Sequence, residues 1–483
     1  FVADMQVPDP DVFYEIEGNV VTTSTYEGLV RYKPDSNQIE PALAASYTTA
    51  PDGMTYTFKL RSGVAFHDGS GTMTSGDVKA SFERRTALGS VSAPGYMLAD
   101  VTGYDTPDPL TFVVHLKNPV APFLDYLAAP YGPKVEDAAG LAKNAGTDMA
   151  QAFLKTHDLG TGPFTMTDFV PGDHYVLSRF AGYWGGQAAV ATIHISILPD
   201  ISTQQLELKG GQLEMILHGL SKDDIASYES DKKFQVVRFP ALFKTWLMVN
   251  ENKGVFKDQA LRTALRSAVN KQQIVDQVYG QDATVSTQYY PAGELPPTMA
   301  VDKPVYDPTI LAKAVAGLAN KKVDLAYSSD DARNQRDAEI VQTELQTAGF
   351  AATVRGIPIA QVFDLPNHPD QAPDVLLSTV NPDAAHPDTW ARIFSNTKGT
   401  LNWLLCSDPA ADAQMDVGQH ATTVSAVQAA YASAGDELVK SGCFISIADV
   451  KDVVVAAAGY SSWAHQLPTV FTVRFGDLKL SGS

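Results

Sequence analysis

An α/β protein of at least two domains is the architecture that this sequence predicts. Its 483 residues are more than one hydrophobic core ordinarily serves. The stretch from about residue 321 to residue 357 alternates strand, helix and strand patterns with short connections, which suggests a parallel α/β unit. Hydrophobic residues make up 45% of the chain and charged residues 19%, so there is apolar surface enough to fill such cores.

The first half reads as short alternating segments. "MTYTFKLR" (residues 54–61) and "LTFVVHLK" (110–117) show period-two patterning with β-branched and aromatic residues, so both are strands. Each follows a turn signal, "APDG" and "DTPDP". "TSGDVKASFERR" (74–85) starts a helix: Thr74 or Ser75 caps it, Asp77 sits in the first turn, and Val78 and Phe82 begin an apolar face. "GTGPFTMTDFVPGDHYVLSRF" reads as turn, strand, turn and strand. "ISTQQLELKGGQLEMIL" reads as a helix ended by Gly210 and Gly211, then a short strand.

In the middle, residues 257–280 place Leu261, Leu265, Val269, Ile274, Val275 and Val278 at helical spacing, one or two helices closed by Gly280. "KKVDLAYSS" is a strand, "NQRDAEIVQTELQTAGF" a helix stopped by Gly349, and "AATVRGI" a strand. "DVLLSTV" (374–380) is a further buried strand, and so is "VVVAAAGY" (453–460).

The charge excludes some functions. With 55 acids against 36 bases the formal charge is −19, a field that repels nucleic acid and anionic membrane. No apolar stretch approaches the roughly 20 residues needed to span a bilayer. The chain starts at Phe1 without a signal-like segment, so removal of an earlier start is expected. Cys406 and Cys443 lie in no metal pattern; they are either one disulfide of an exported protein or two buried thiols. Nucleophile-elbow, zinc-protease, phosphate-loop and dinucleotide motifs are absent. His67, beside Asp68 in "AFHDG", reads as part of a turn rather than a catalytic dyad.

One stretch stands out. "NPDAAHPDTW" (381–390) holds Asp383, His386 and Asp388 just past a buried strand, and in open α/β sheets ligands collect beyond the carboxyl ends of strands. One nitrogen and two carboxylates suit several divalent metals in type. Pro387 interrupts the set and no second histidine is near, so no dedicated metal site and no cofactor is expected. An acid/base hydrolase built on Asp383 and His386 is the remaining reading from a different class.

Several segments, in order, resemble one family. They are "YEGLVRY" (26–32), "IEPALAASYTTAPDGMTYTFKLRSGVAFHDG" (39–69), "MTSGDVKASFER" (73–84), "GTGPF" (160–164), "GYWGG" (182–186), "LELKGGQLEMI" (206–216) and "VNENKGVFKDQALRTALRSAVNKQQIVDQVYG" (249–280). Together they resemble the family 5 extracellular solute-binding proteins of ABC transporters, the dipeptide and oligopeptide receptors. The resemblance implies an α/β fold of two lobes closing on a ligand, the type II, cluster C binding-protein fold, with an extra subdomain in the first lobe. It places lobe I at residues 1–240 and 456–483, its subdomain at about 34–158, and lobe II at 241–455. The crossings fall near residues 241–250 and 453–460.

The same resemblance implies a receptor of an ABC importer, most naturally for a short peptide, or else for an opine-like molecule, a sugar or a metal chelate. It implies a monomer that meets permease membrane subunits, periplasmic or extracellular, free or lipid-anchored, with no enzymatic step. In peptide-binding members an aspartate in an Asp-x-x-x-Pro-Asp loop pairs with the ligand's ammonium. "DAAHPD" is similar to that loop and puts Asp383 at the anchor, or else Asp383 caps the following turn or helix. Val380, Asn381 and Pro382 depart from the aromatic and glycine residues usual before the anchor, and His386 stands where an acid is common. Trp246, Trp390 and Trp403 are candidate ligand contacts or core residues, as is Tyr26. Arg333 and Arg392 are candidates for a ligand carboxylate. "FHDG" and "GYWGG" read as structural turns.

Overall fold

A computed structural model describes residues 1–5, 7–89, 95–468 and 473–481. The chain divides into two compact units. The first takes Phe1–His218, Tyr228–Phe239 and Val453–Ser483; the second takes Gly219–Ser227 and Pro240–Asp452. The segment Gly219–Ser227 thus joins the second unit although the resemblance counts it with the first lobe.

In the first unit, strands β1 (Ala44–Thr49), β2 (Thr55–Leu60), β3 (Val101–Asp108) and β4 (Thr111–Leu116) form an antiparallel sheet in the order β1-β2-β4-β3. Helix α1 (Ser75–Leu88) packs on it. The Thr74 backbone N–H donates to Asp77 at 2.7 Å in a capping box, and Gly89, in the left-handed region, ends the helix. Strands β5 (Phe164–Val170), β6 (His174–Arg179) and β7 (Thr192–Ser196) make a second antiparallel sheet. Helix α2 (Ile201–Gly210) ends at Gly211 with φ 78°, and β8 (Met215–Ile216) follows. One core of this unit joins Met5, Phe13 and Val21 to Phe164 and Tyr175 and to Val454, Val473 and Phe475.

The family-like motifs of this unit are joints between segments. A Cβ at Gly160 would stand 2.0 Å from the Thr25 carbonyl oxygen, and one at Gly162 2.4 Å from that of Ser24, so "GTG" permits a backbone approach that no other residue allows. His67 is not merely a turn residue. Its Nδ1 meets the Asp158 carboxylate, and Nε2 donates to the Gly162 carbonyl at 2.9 Å. In "GYWGG", the Tyr183 hydroxyl and the Trp184 indole N–H both donate to Glu27, at 2.9 and 2.8 Å.

The chain passes into the second unit along β9 (Phe234–Val249), longer than the expected crossing. Helix α3 (Gln259–Ala268) stops at Val269, and a four-residue helix, Lys271–Ile274, leads into a π-helical segment, Val275–Tyr279. After β10 (Ala283–Val285) comes the expected parallel unit. It consists of β11 (Lys322–Ser328), α4 (Ala332–Thr347), β12 (Ala351–Ile357) and β13 (Val375–Val380). Strand β11 pairs in parallel with both β12 and β13, and β13 pairs antiparallel with β9. Helices α5 (Pro387–Phe394), α6 (Pro409–Gln419) and α7 (Val424–Ser441) precede β14 (Phe444–Ala457), which carries the chain back to the first unit. The strand order is β14-β9-β13-β11-β12, with β10 on β14. Cys406 and Cys443 form a disulfide, which resolves the two readings of the pair.

Candidate ligand site

The stretch that stood out in the sequence is the turn from β13 into α5. Proline favours the first helical position because its fixed φ suits the helix and its missing N–H is not needed there. Pro387 therefore sets the start of α5, and the cap falls on the residue before it. His386 is that cap: its Nδ1 accepts the Asp388 backbone N–H at 3.1 Å. Asp383 is therefore not the cap of α5, which begins three residues too late for it. A ring nitrogen that accepts a hydrogen bond is unprotonated, so His386 is neutral with its proton on Nε2. Burial pushes its pKa down to about 4, although Asp388 pulls the other way.

Asp388 lies in the first turn of α5, wholly buried, where a carboxylate complements the helix dipole. Its Oδ1 accepts from Arg392 Nε at 2.9 Å and from the Tyr431 hydroxyl on α7. Thr389 Oγ1 lies 2.8 Å from the Ala384 carbonyl and 2.9 Å from that of His386, so the loop is folded back on its helix. Asp383 sits inside this fold with 6% of its surface exposed. Among the described residues, the groups of potential metal donors lie elsewhere, at Asp9, Asp11 and Glu136 and at Glu251 with the two disulfide cysteines. In this loop His386 Nδ1 is engaged in capping α5 and Asp388 Oδ1 in holding Arg392.

The tryptophans occupy the core of the second unit. Trp246 and Trp390 are fully buried with ring centres 4.5 Å apart. Phe444 stacks on Trp246 at 5.1 Å, and Phe394 meets both rings. Trp403 packs edge-on to Phe394 and Phe363. These contacts come from the second unit itself, so the rings brace α5 against the sheet. Tyr26 belongs to the first unit, is 2% exposed, and has its phenol pKa pushed well up by burial.

Arg333 follows β11 as Asp383 follows β13, and these are neighbouring parallel strands. Asp331 caps α4 by accepting the Arg333 backbone N–H at 2.9 Å and takes the guanidinium on two nitrogens, at 3.0 and 2.7 Å. The guanidinium carbon stands 5.5 Å from the Tyr279 ring centre and 5.8 Å from that of Phe243. Arg392 likewise is paired, with Asp388 and with the Met415 carbonyl. Sequence reasoning missed what surrounds Arg333: Thr245, Tyr279, Asn334, Asp337 and Thr379 form one buried polar network. No local motif marks it, because it is drawn from four elements.

The model of the bacterial extracellular solute-binding proteins, family 5, matches residues 38–402, about three quarters of the chain. The chain belongs to this family. Among the relatives of this family 5 protein is a probable D,D-dipeptide-binding periplasmic protein of Escherichia coli K12. The two are 27% identical over 391 residues, 80% of this chain and 74% of the relative. The dipeptide-binding protein of the same organism is 29% identical over 364 residues, 68% of this chain and 65% of the relative. Solved structures share the fold. The binding protein DppA of Helicobacter pylori, in complex with a peptide, has a TM-score of 0.83 at 22% identity, covering 99% of this chain and 96% of its own. NikA of Brucella suis, in complex with Fe(III)-EDTA, has a TM-score of 0.87 at 22% identity, covering 100% and 99%. The two-lobed α/β class expected from the sequence is thus the fold of this family 5 protein. Its family is one of solute-binding proteins, and no helix of the described residues is long and apolar enough to cross a membrane.

Proposed function

We propose that this family 5 protein is the capturing receptor of an ABC importer and takes a short peptide with free termini. The observation that carries the reading is the pair of charges beyond neighbouring parallel strands, Asp383 after β13 and Arg333 after β11. Because β11 and β13 are parallel neighbours, both residues follow strand ends on the same edge of the sheet. A carboxylate and a guanidinium on one edge of the sheet suit a zwitterion, with the ammonium on Asp383 and the carboxylate on Arg333. His386, neutral and with Nε2–H available, adds a donor without adding charge. The tryptophan cluster keeps α5, and with it the loop, in place.

The names of relatives that bind dipeptides and glutathione favour the same class. Delivery of the ligand requires permease membrane subunits as partners. The disulfide favours an oxidising compartment outside the cytosol, with the receptor either free or lipid-anchored. A monomer suffices for this role, and a charge of −19 argues against nucleic acid.

A second reading keeps the receptor and changes its cargo. Val380, Asn381, Pro382 and His386 depart from the peptide-receptor pattern, and proteins of the same fold are known with agropinic acid and with a nickel–histidine complex. Mass spectrometry of what the purified protein releases on denaturation separates the two. A dipeptide or a ladder of short peptides supports the first reading, and a non-peptide molecule overturns it in favour of the second.

A further inference from the structure

Beneath Arg333 four hydroxyl and carboxyl groups make a chain whose protons can be counted. Asn334 Nδ2 donates to the Ser328 carbonyl at 3.0 Å. A carbonyl only accepts, so the amide nitrogen is fixed there and Asn334 Oδ1 faces Thr379, which must donate to it, at 2.7 Å. Thr379 Oγ1 is 2.8 Å from Thr245 Oγ1, and Thr245 Oγ1 is 2.9 Å from the Tyr279 hydroxyl. The Tyr279 hydroxyl is 2.5 Å from Asp337 Oδ2. Four hydrogen bonds therefore run from Asp337 to Asn334, but Tyr279, Thr245 and Thr379 bring only three protons. Were Asp337 ionised, both ends of the chain would be acceptors and one bond would lack a hydrogen. A proton on Asp337 Oδ2 supplies the fourth and gives every bond one donor, all pointing the same way.

We propose that Asp337 is a neutral, proton-carrying positioning residue of the ligand site, whose proton completes the chain joining the start of α4 to the end of β13. The proposal rests on the reading of Arg333 and Asp383 as the ligand's anchors. Asn334 adjoins Arg333, and Thr379 stands four residues before Asp383, so the chain fixes the two anchors' supports against each other through β9. Among the described residues, Asp337 Oδ1 is buried and meets no hydrogen-bond donor, so no hydrogen bond there stabilises a negative charge. Burial pushes the Asp337 pKa up to about 8; the Tyr279 bond opposes this, Asp331 adds to it, and Arg333 opposes it. The groups facing Asp337 are Arg333 and Asp331 from α4 and its cap and Tyr279 from the π-helical turn. Strands β9 and β13 bring the hydroxyls of Thr245 and Thr379. Lys244, next along β9, is committed to Asp449 at 2.8 Å.

The sign of the pH effect follows. An aspartate titrates near 3.9 when unfolded and this one near 8 when folded, so between those values the folded chain holds a proton that the unfolded chain has lost. The contribution to stability is full below about pH 4, falls as pH rises, and is gone above about pH 8.

Infrared spectroscopy of the ligand-free protein tests the proton. The wild-type minus Asp337→Asn difference spectrum cancels other buried acids. It is expected to show a carboxylic-acid carbonyl band at about pH 6 that gives way to a carboxylate band by about pH 10. A carboxylate band already present at the lower pH overturns the proposal. Hydrogen exchange tests the positioning. The side-chain amide introduced by Asp337→Asn can donate to Tyr279 as the acid does, so this variant is expected to keep wild-type protection at residues 331–334 and 378–383. Asp337→Ala is expected to exchange there about tenfold faster, and Tyr279→Phe, which preserves packing if the alanine variant does not fold, likewise. Equal loosening by asparagine and alanine, or loosening by neither alanine nor phenylalanine, overturns it. Neither readout uses a ligand, so failure of the receptor to bind dipeptides would sink the peptide reading and the ligand-site role that rests on it, whereas the proton on Asp337 and the ordering of the two segments stand or fall on these two measurements alone.

Discussion

Asp383→Ala is expected to cost roughly 2–5 kcal/mol of affinity for a dipeptide, the loss typical when one partner of a buried charge pair is removed. Titration calorimetry with alanyl-alanine measures it, and unchanged affinity would remove Asp383 from the anchor role. His386 has its own signature. Its folded pKa is about 4 against an ordinary value of 6.5, so its contribution to stability is complete above pH 6.5 and lost as pH falls toward 4. Protonation also takes away the lone pair that caps α5. Relative to His386→Asn, the wild type should lose about 2–3 kcal/mol between pH 7 and pH 4 by urea denaturation, and parallel pH profiles would refute this. The dense run of Asp, His and Pro made this loop visible in the sequence. Its division of labour was not, because whether Asp383 or His386 caps depends on where Pro387 starts the helix. The Asp337 network was invisible for a different reason: no two of its members from different elements are close in sequence.

Strands and hairpins of the first unit were legible because alternation and turn residues are local signals. The parallel unit from β11 to β13 was legible for the same reason, its strand and helix periods being long and clean. Helices α6 and α7 are rich in alanine and poor in large apolar residues, so their faces barely register as periodic. The π-helical turn that delivers Tyr279 continues the short helix Lys271–Ile274, and apolar spacing in the sequence marks a helix there without distinguishing a π turn from an α one. The disulfide closes a span of 37 residues that holds this helical pair against β14. In the chain-entropy model a loop of that length is stabilised by roughly 4 kcal/mol. The double variant Cys406→Ser/Cys443→Ser should therefore unfold at lower urea, while reductant should shift the wild type and leave the double variant unmoved. A midpoint unchanged by either treatment would show that the pair contributes nothing to stability.

Length and one βαβ pattern sufficed for the α/β class and for more than one domain. The discontinuity of the first unit was carried by resemblance alone, because no composition shift marks the places where the chain changes unit. That discontinuity bears on the order in which the protein matures. The second unit is complete once residue 452 has been made, whereas the first still lacks Val454, Val473 and Phe475 from its core. Chains ordinarily fold from the N-terminus as they are synthesised, and here that order is inverted for the two units. Nascent chains stalled soon after residue 452 has cleared the ribosome should resist protease across residues 240–452 and be cut within residues 1–218. Equal resistance of both regions would contradict it. The unit made earlier thus waits, unfinished, until the return strand beyond residue 452 has emerged, and the passage of that segment decides when the receptor is whole.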